Sequence, residues 1–349
     1  MVPSRIGLIV PFVLFALAAA PASAGSGVGS GAQAAGGVTI AAVGDTILGD
    51  TPDLPPRPGH YLDPIEDALG ADITFGNLEG TLTTATHDKC SAGSSQCFSF
   101  RNPPRYAGLL HADGFDVLNS ANNHSYDFGA AGFRQTTRAL RDHGIRQTGL
   151  KGQITVVRAG GLRVAFLGFA PYDDVSNLLD LDRARALIRS ATTKADLVVV
   201  YMHAGAEGSD RQHVTRREEY AFGEDRGNPY RFAHMAVDGG ADLVLGSGPH
   251  VLRGMEVYRH RLIAYSLGNF ASYHNFNTDG VLALSSVLRV TLGPKGWFRA
   301  GRFVSVTLNG DGRASHDPRA RAARLVAERS RQDFPKRGVA IRKDGTIEA

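Results

Sequence analysis

Along most of this chain apolar and polar residues come in blocks. Short, mostly apolar runs at Val38–Val43, Phe115–Leu118, Leu197–Met202 and Leu243–Leu245, with a briefer one at Ile73–Phe75, have strand length and little polar face. That is the pattern of strands covered on both sides. Between them lie segments with helical spacing at Asp63–Leu69, Arg105–His111, Ala130–His143, Leu178–Thr192 and Pro229–Asp238. Pro64 and Pro103-Pro104 suit first-turn positions. Ile154–Arg158 and Leu162–Phe169, joined by Ala159-Gly160-Gly161, read as a hairpin. The charged segment Gln212–Gly227 reads as a loop over a site. Gly254–Tyr258, Leu262–Ser266, Val281–Arg289 and Phe298–Leu308 read as antiparallel strands. Strands alternating with helices, then a β-rich run, predict an α/β core with a second sheet packed on the first.

The predicted strands end in polar clusters. Val43 runs into Gly44-Asp45, and Phe75 into Gly76-Asn77-Leu78-Glu79-Gly80. Leu118 leads to Asn122, Asn123, His124 and Asp127; Met202 to His203 and Glu207; and Leu245 to Ser247, Gly248, Pro249 and His250. Each residue alone has an ordinary reading: Asn122 and Asn123 suit an Asx-turn or helix cap, Asp45 a turn, Glu79 an ion pair, His203 a satisfied core position. Five strand ends carrying such groups change that reading, because functional side chains in α/β folds collect at the carboxyl ends of strands. Carboxylate and amide oxygens mixed with imidazole suit Mn²⁺, Fe or Zn²⁺ better than Ca²⁺ or Mg²⁺. The surplus of ligands points to one or two divalent ions. No serine stands in a nucleophile elbow and neither cysteine has a suitable partner, which disfavours covalent catalysis.

Composition narrows the classes. The chain has 349 residues, 43% of them hydrophobic, which supports a large core and excludes a disordered chain. The net charge of +4 comes largely from arginines in Arg313–Arg342. Phe334 is the one aromatic ring of Phe, Tyr or Trp type there, too few to stack a row of bases, so nucleic acid is not an expected partner. Residues 1–24 read as a signal peptide, with Arg5, the apolar Ile6–Ala20 and Ala22-Ser23-Ala24 before the cleavage point. The rival reading is an uncleaved membrane anchor, although the apolar stretch is shorter than the roughly 20 residues a span requires. The expected destination is periplasmic or extracellular. In such an oxidising compartment Cys90 and Cys97 are expected to form a local disulfide rather than a thiolate metal site. It would contribute on the order of 2.5 kcal/mol in the chain-entropy picture.

The motifs Gly44-Asp45, Gly76-Asn77-Leu78-Glu79-Gly80, Ala121-Asn122-Asn123-His124 with Asp127, His203-Ala204-Gly205-Ala206-Glu207, Gly246…Pro249-His250 and Tyr265-Ser266-Leu267-Gly268-Asn269-Phe270 together resemble the poly-γ-glutamate capsule-synthesis (CapA-type) family. That family is similar to calcineurin-like metallophosphoesterases. The resemblance implies two packed mixed sheets flanked by helices, a four-layer αββα sandwich, with a dinuclear metal site. It implies Asp45, Glu79, Asn123, His203 and His250 as metal ligands and His124 with Asp127 as the catalytic pair. Asn122, Glu207 and Asn269 would support them. Two departures stand out: Ile47 occupies the histidine position of the Asp-x-His motif, and Gly248 that of the first histidine in His-x-His. The expected activity is that of an exported metal-dependent hydrolase of the phosphoesterase type in capsule or envelope-polymer biosynthesis. Its partner would be an anionic polymer or a phosphoester. The alternative is a non-catalytic polymer-binding component. The expected division is a lead-in at 25–37, a catalytic domain at 38–312 and a basic extension at 313–349, whose helical portion Pro318–Ser330 would dock on the core or associate peripherally with an anionic membrane surface. Cleavage after Ala24 predicts that N-terminal sequencing of the secreted protein starts at Gly25; a start at Met1 or Val2 would contradict it.

Overall fold

The computed structural model describes Met1 and residues 36–90 and 97–349. The expected signal segment, nearly all of the lead-in and residues 91–96 lie outside the described residues. In chain order the main strands are β1 (Val38–Ile47), β2 (Ile73–Leu78), β3 (Val117–Asn119), β4 (Arg146–Thr148), β5 (Thr155–Ala159), β6 (Leu162–Phe169) and β7 (Leu197–His203). They continue with β8 (Leu243–Ser247), β9 (Met255–Tyr258), β10 (Arg261–Ala264), β11 (Asn269–Ser272), β12 (Leu284–Leu292), β13 (Phe298–Leu308) and β14 (Ala314–His316). The main helices are α1 (Tyr106–Ala112), α2 (Gly129–Asp142), α3 (Leu181–Thr192), α4 (Pro229–Gly239) and α5 (Arg321–Asp333).

The strands form two mixed sheets. One runs β14-β13-β12-β1-β2-β3-β4 with β11 beside β1; the other runs β9-β10-β8-β7-β6-β5. Alternate residues of β1 feed different cores. Val38, Ile40 and Ala42 meet Phe166, Val199, Leu245 and Ala264 of the second sheet, whereas Ala41 and Val43 pack outward with Leu110 of α1 and Leu140 of α2. The outer face of the second sheet, including Ala165, Val198 and Val244, is covered by Ile188 of α3 and Phe232 and Ala236 of α4. The result is the expected αββα sandwich.

Sequence expectation and structure differ locally. The helix expected from Leu178 begins at Leu181, because the Asp180 side chain accepts from the Arg183 N–H and caps it. Gly280–Ala283 is a 3₁₀ turn, so the following strand spans Leu284–Leu292 rather than Val281–Arg289. Gln212–Gly227 is not wholly loop: Tyr220–Ala221 pairs with Glu224–Asp225 as a small hairpin. Residues beyond 312 continue the fold. Ala314–His316 extends the first sheet through β13, and Ala322, Ala323 and Val326 of α5 join the core between the sheets. The helical portion expected at Pro318–Ser330 is the amphipathic helix Arg321–Asp333, whose buried stripe is made of small residues. Cys90 and Cys97 are disulfide-bonded, as expected.

The backbone crossing at Gly44 places the end of β1. Strand β1 pairs with β12 only as far as Ala42; from Asp45 onward β11 takes over the same edge. Where the partners change, a Cβ at Gly44 would lie 1.8 Å from the Gly268 carbonyl oxygen. Gly44→Ala should therefore destabilise the protein by about 3 kcal/mol or more, at the upper end of overpacking costs. Gly70→Ala, where a Cβ meets nothing within 4 Å, should leave the denaturant midpoint nearly unchanged. Equal midpoints for the two variants would refute this account of the crossing.

Candidate metal centre

Strand register assembles the site before any metal is considered. Asn269 of β11, Asp45 of β1, Asn77 of β2 and Asn119 of β3 are successive register partners across the first sheet. In the second sheet Ser247 of β8 is the partner of His203 of β7. The two rows face each other at the carboxyl edge of the sandwich. Ser247 Oγ donates to Asp45 Oδ1 and also bonds the Tyr201 hydroxyl. Asn77 Nδ2 donates to Asp45 Oδ1 at 2.8 Å and to Glu79 Oε2. Its Oδ1 accepts from Asn119 at 2.7 Å and Asn122 at 3.0 Å.

Within this frame, ligating atoms of Asp45, Glu79 and His203 all lie within 4.8 Å of one another, and all three residues are buried. His203 Nε2 is 3.5 Å from Glu79 Oε1, and His203 Nδ1 is 3.9 Å from Asp45 Oδ1. His250 Nδ1 stands 3.2 Å from Asp45 Oδ2 and 2.8 Å from Asn269 Oδ1. His250 has φ +58, a left-handed backbone uncommon for a non-glycine residue. Glu207 connects to the cluster through His250, its Oε2 being 3.6 Å from Nε2, while its Oε1 pairs with Arg226 at 2.9 Å. Asn123 and Asn269 line the same cavity as His124 and His250. Asp127 sits behind His124: it bonds His124 Nδ1 at 2.9 Å, accepts from Phe100 N–H at 2.7 Å and pairs with Lys89 at 2.7 Å. Fully buried and absent from the cavity lining, it orients His124 rather than meeting a ligand. Asn122 likewise acts from behind, accepting from the His124 N–H at 2.9 Å.

The electrostatics of the bare chain are unbalanced. Burial, reinforced by the Asp45 charge, raises the Glu79 carboxyl well above its ordinary range. Burial also opposes ionisation of Asp45, but the His250 hydrogen bond and the fields of His203 and His250 outweigh it and hold that carboxyl low. Burial depresses His203 to about 3, leaving a neutral ring. Burial opposes a charge on His250 too, yet its hydrogen bond to Asp45 and the charges of Asp45 and Glu207 lift it to about 10. Glu79 Oε1, Asn123 Oδ1 and both His203 nitrogens are buried with no hydrogen-bond partner, and Asp45 Oδ2 has only the His250 ring at 3.2 Å. So many unpaired atoms are unusual in a folded interior. A divalent cation would satisfy them, displacing the protons that otherwise compensate the charge. The donor set fits such an ion, with Asp45, Glu79 and His203 as its holders and His250 and Asn123 beside them.

Sequence reading left Asn77, Ser247, Lys89 and Arg226 without a role. Asn77 was within reach of it, since it lies two residues before Glu79 and so shares its face of the strand. Lys89 was not, because its contacts with Asp127 and the Asn123 carbonyl join segments far apart in the chain. Arg253, a cation three residues after His250, is buried and engaged by Glu219 at 2.8 Å rather than facing the cavity.

The chain thus has a metallophosphoesterase-like αββα fold, with a buried Asp, Glu and His cluster between the carboxyl edges of its sheets. Within that class the chain belongs to the family described as bacterial capsule synthesis protein PGA_cap, whose model matches residues 39–274. It is 29% identical over 243 residues to PGA biosynthesis protein CapA of Bacillus subtilis (strain 168), covering 61% of this chain and 60% of that one. It is 32% identical over 177 residues to capsule biosynthesis protein CapA of Bacillus anthracis, covering 45% of this chain and 40% of that one. The chain thus spans less than two thirds of either relative's length. A 5'-nucleotidase precursor from Thermus thermophilus superposes with a TM-score of 0.42 at 14% identity, over 86% of this chain and 59% of that one.

Asp45→Ala and His203→Ala should each abolish stoichiometric binding of Mn²⁺ or Zn²⁺ measured by elemental analysis after dialysis. Asn77→Ala should still bind, with affinity lowered about 10- to 100-fold, as for other groups that orient ligands. Full metal retention by the Asp45 variant would remove this site from consideration.

Proposed function

We propose that this protein is an exported metal-dependent hydrolase of the phosphoesterase type, acting in the biosynthesis of capsule, poly-γ-glutamate or another envelope polymer. The observation that carries the reading is one cavity of about 560 Å³ lined by His124, Asn123 and His250, with His250 joined to the Asp45–Glu79–His203 cluster. Export is supported by the disulfide, and the envelope role by the family and by the names of its relatives.

Divalent ions held by the cluster would supply Lewis acidity at the scissile centre. The chain's own contribution centres on His124. Because Nδ1 bonds Asp127, Nε2 is left to exchange a proton with substrate. Burial holds this imidazole below its ordinary range despite Asp127. A phosphoryl anion bound alongside would oppose that depression and favour the imidazolium, which gives its proton to the leaving oxygen. Phe100 packs against the ring with centroids 4.5 Å apart and fixes its plane.

The absence of imidazole at Ile47 and Gly248 favours a second reading, a polymer-binding component without turnover. His124→Ala separates the two: it should retain metal and lose a factor of about 10² to 10⁴ in turnover of a chromogenic phosphodiester with Mn²⁺, Zn²⁺ or Mg²⁺. A stoichiometrically metallated wild-type protein inert toward phosphoesters and γ-glutamyl amides would establish the binding role instead.

A further inference from the structure

The mouth of the cavity is built unlike its floor. Phe98 and Phe222 line it although 57% and 67% exposed, and Phe276 lies against His250 with ring centroids 4.9 Å apart. Phe222 occupies the two-residue tip of the 220–225 hairpin at φ +52, followed by Gly223 at φ +79. Turns of that geometry favour asparagine or glycine at the first position. A large apolar side chain held there, in solvent and in a strained backbone, is unexplained by packing and points to a ligand.

The cations around the cavity are already committed. Lys89 is bound to Asp127 at 2.7 Å and to the Asn123 carbonyl at 2.9 Å. Arg226 is held by Glu207 at 2.9 Å and Glu224 at 3.2 Å. Among the described lining residues no lysine or arginine is left to pair with a row of carboxylates.

We infer that this mouth is a subsite for an uncharged, ring-bearing leaving group, so that the substrate is an aryl-type phosphoester rather than the polyanionic chain itself. Phe98 and Phe222 stack on the ring while the phosphoryl group reaches the floor beside His124. The inference rests on the phosphoesterase reading and narrows its substrate class.

Calorimetry with non-hydrolysable probes tests it without turnover. Phenylphosphonate should bind the Mn²⁺-loaded protein roughly tenfold more tightly than methylphosphonate, the gain expected from burying one ring. Phe222→Ala and Phe98→Ala should each remove most of that preference while metal content stays constant. Tyr220→Ala, on the same hairpin and 62% exposed but outside the cavity lining, should keep it. A γ-glutamate oligomer should not displace phenylphosphonate. Equal affinity for the two phosphonates, or displacement by the oligomer, overturns the subsite. If neither phosphonate binds, the phosphoesterase reading fails and the subsite falls with it.

Discussion

The structure turns on a carboxylate, Asp45, ionised between two β-sheets and fully shielded from bulk solvent. A charge in such a place is tolerated only if hydrogen bonds and opposite charges replace its hydration. Asp45 receives hydrogen bonds from both sheets, through Asn77 of its own and Ser247 of the facing one, and an opposite charge from His250 in the turn after β8. These contacts fasten the two sheets at one edge and so fix where His203 and Glu79 stand. The same demand explains the backbone around it. Gly44 lets β1 approach Gly268, and β11 takes over from β12 so that Asp45 gains Asn269 as its register partner.

Asn77 extends that constraint sideways. An amide donates and accepts at once, and Asn77 uses both ends: two carboxylates on one, two further amides on the other. Asn122 in turn accepts from the His124 N–H. A hydrogen-bonded path therefore joins the ligand cluster to the histidine proposed to handle the proton. The whole path is buried, so its geometry is set by the fold rather than by solvent. The opposing sheet accommodates it by omission: at Gly168 a Cβ would lie 1.8 Å from Asn119 Oδ1.

Much of this was legible because burial writes a coarse signal. Runs such as Leu197–Met202 with no polar face require cover on both sides, and polar groups collecting where such runs stop imply one shared edge. The family resemblance supplied the sandwich, and with it an expected ligand set named residue by residue. What could not be read depends on contacts between distant segments. Nothing in the spacing of Lys89 indicates that it meets Asp127, and nothing near Arg253 indicates that Glu219 claims it. A helix near Arg321–Asp333 was expected, but not the face it buries. Its buried face is Ala322, Ala323, Val326 and Ser330, too slight an apolar stripe to stand out among arginines, although it closes the core between the sheets.

The positions where imidazole is absent bear on whether the centre is a relic. Gly248 has φ +113, and a Cβ there would lie 3.3 Å from His203 Nε2. An imidazole at that position would need a different backbone path, so the change from the phosphoesterase pattern is a rebuilt turn rather than a deleted side chain. In the rebuilt turn His250 and Ser247 both reach Asp45. Ile47 is fully buried and close enough to Gly80 to fill the space a Cβ would take there, so that departure is sealed with packing. A site without use has no reason to keep Asp45, Glu79 and His203 buried with unpaired atoms, because apolar replacements of similar volume are often neutral or stabilising. The cost of burying these polar atoms is one that a bound cation would offset.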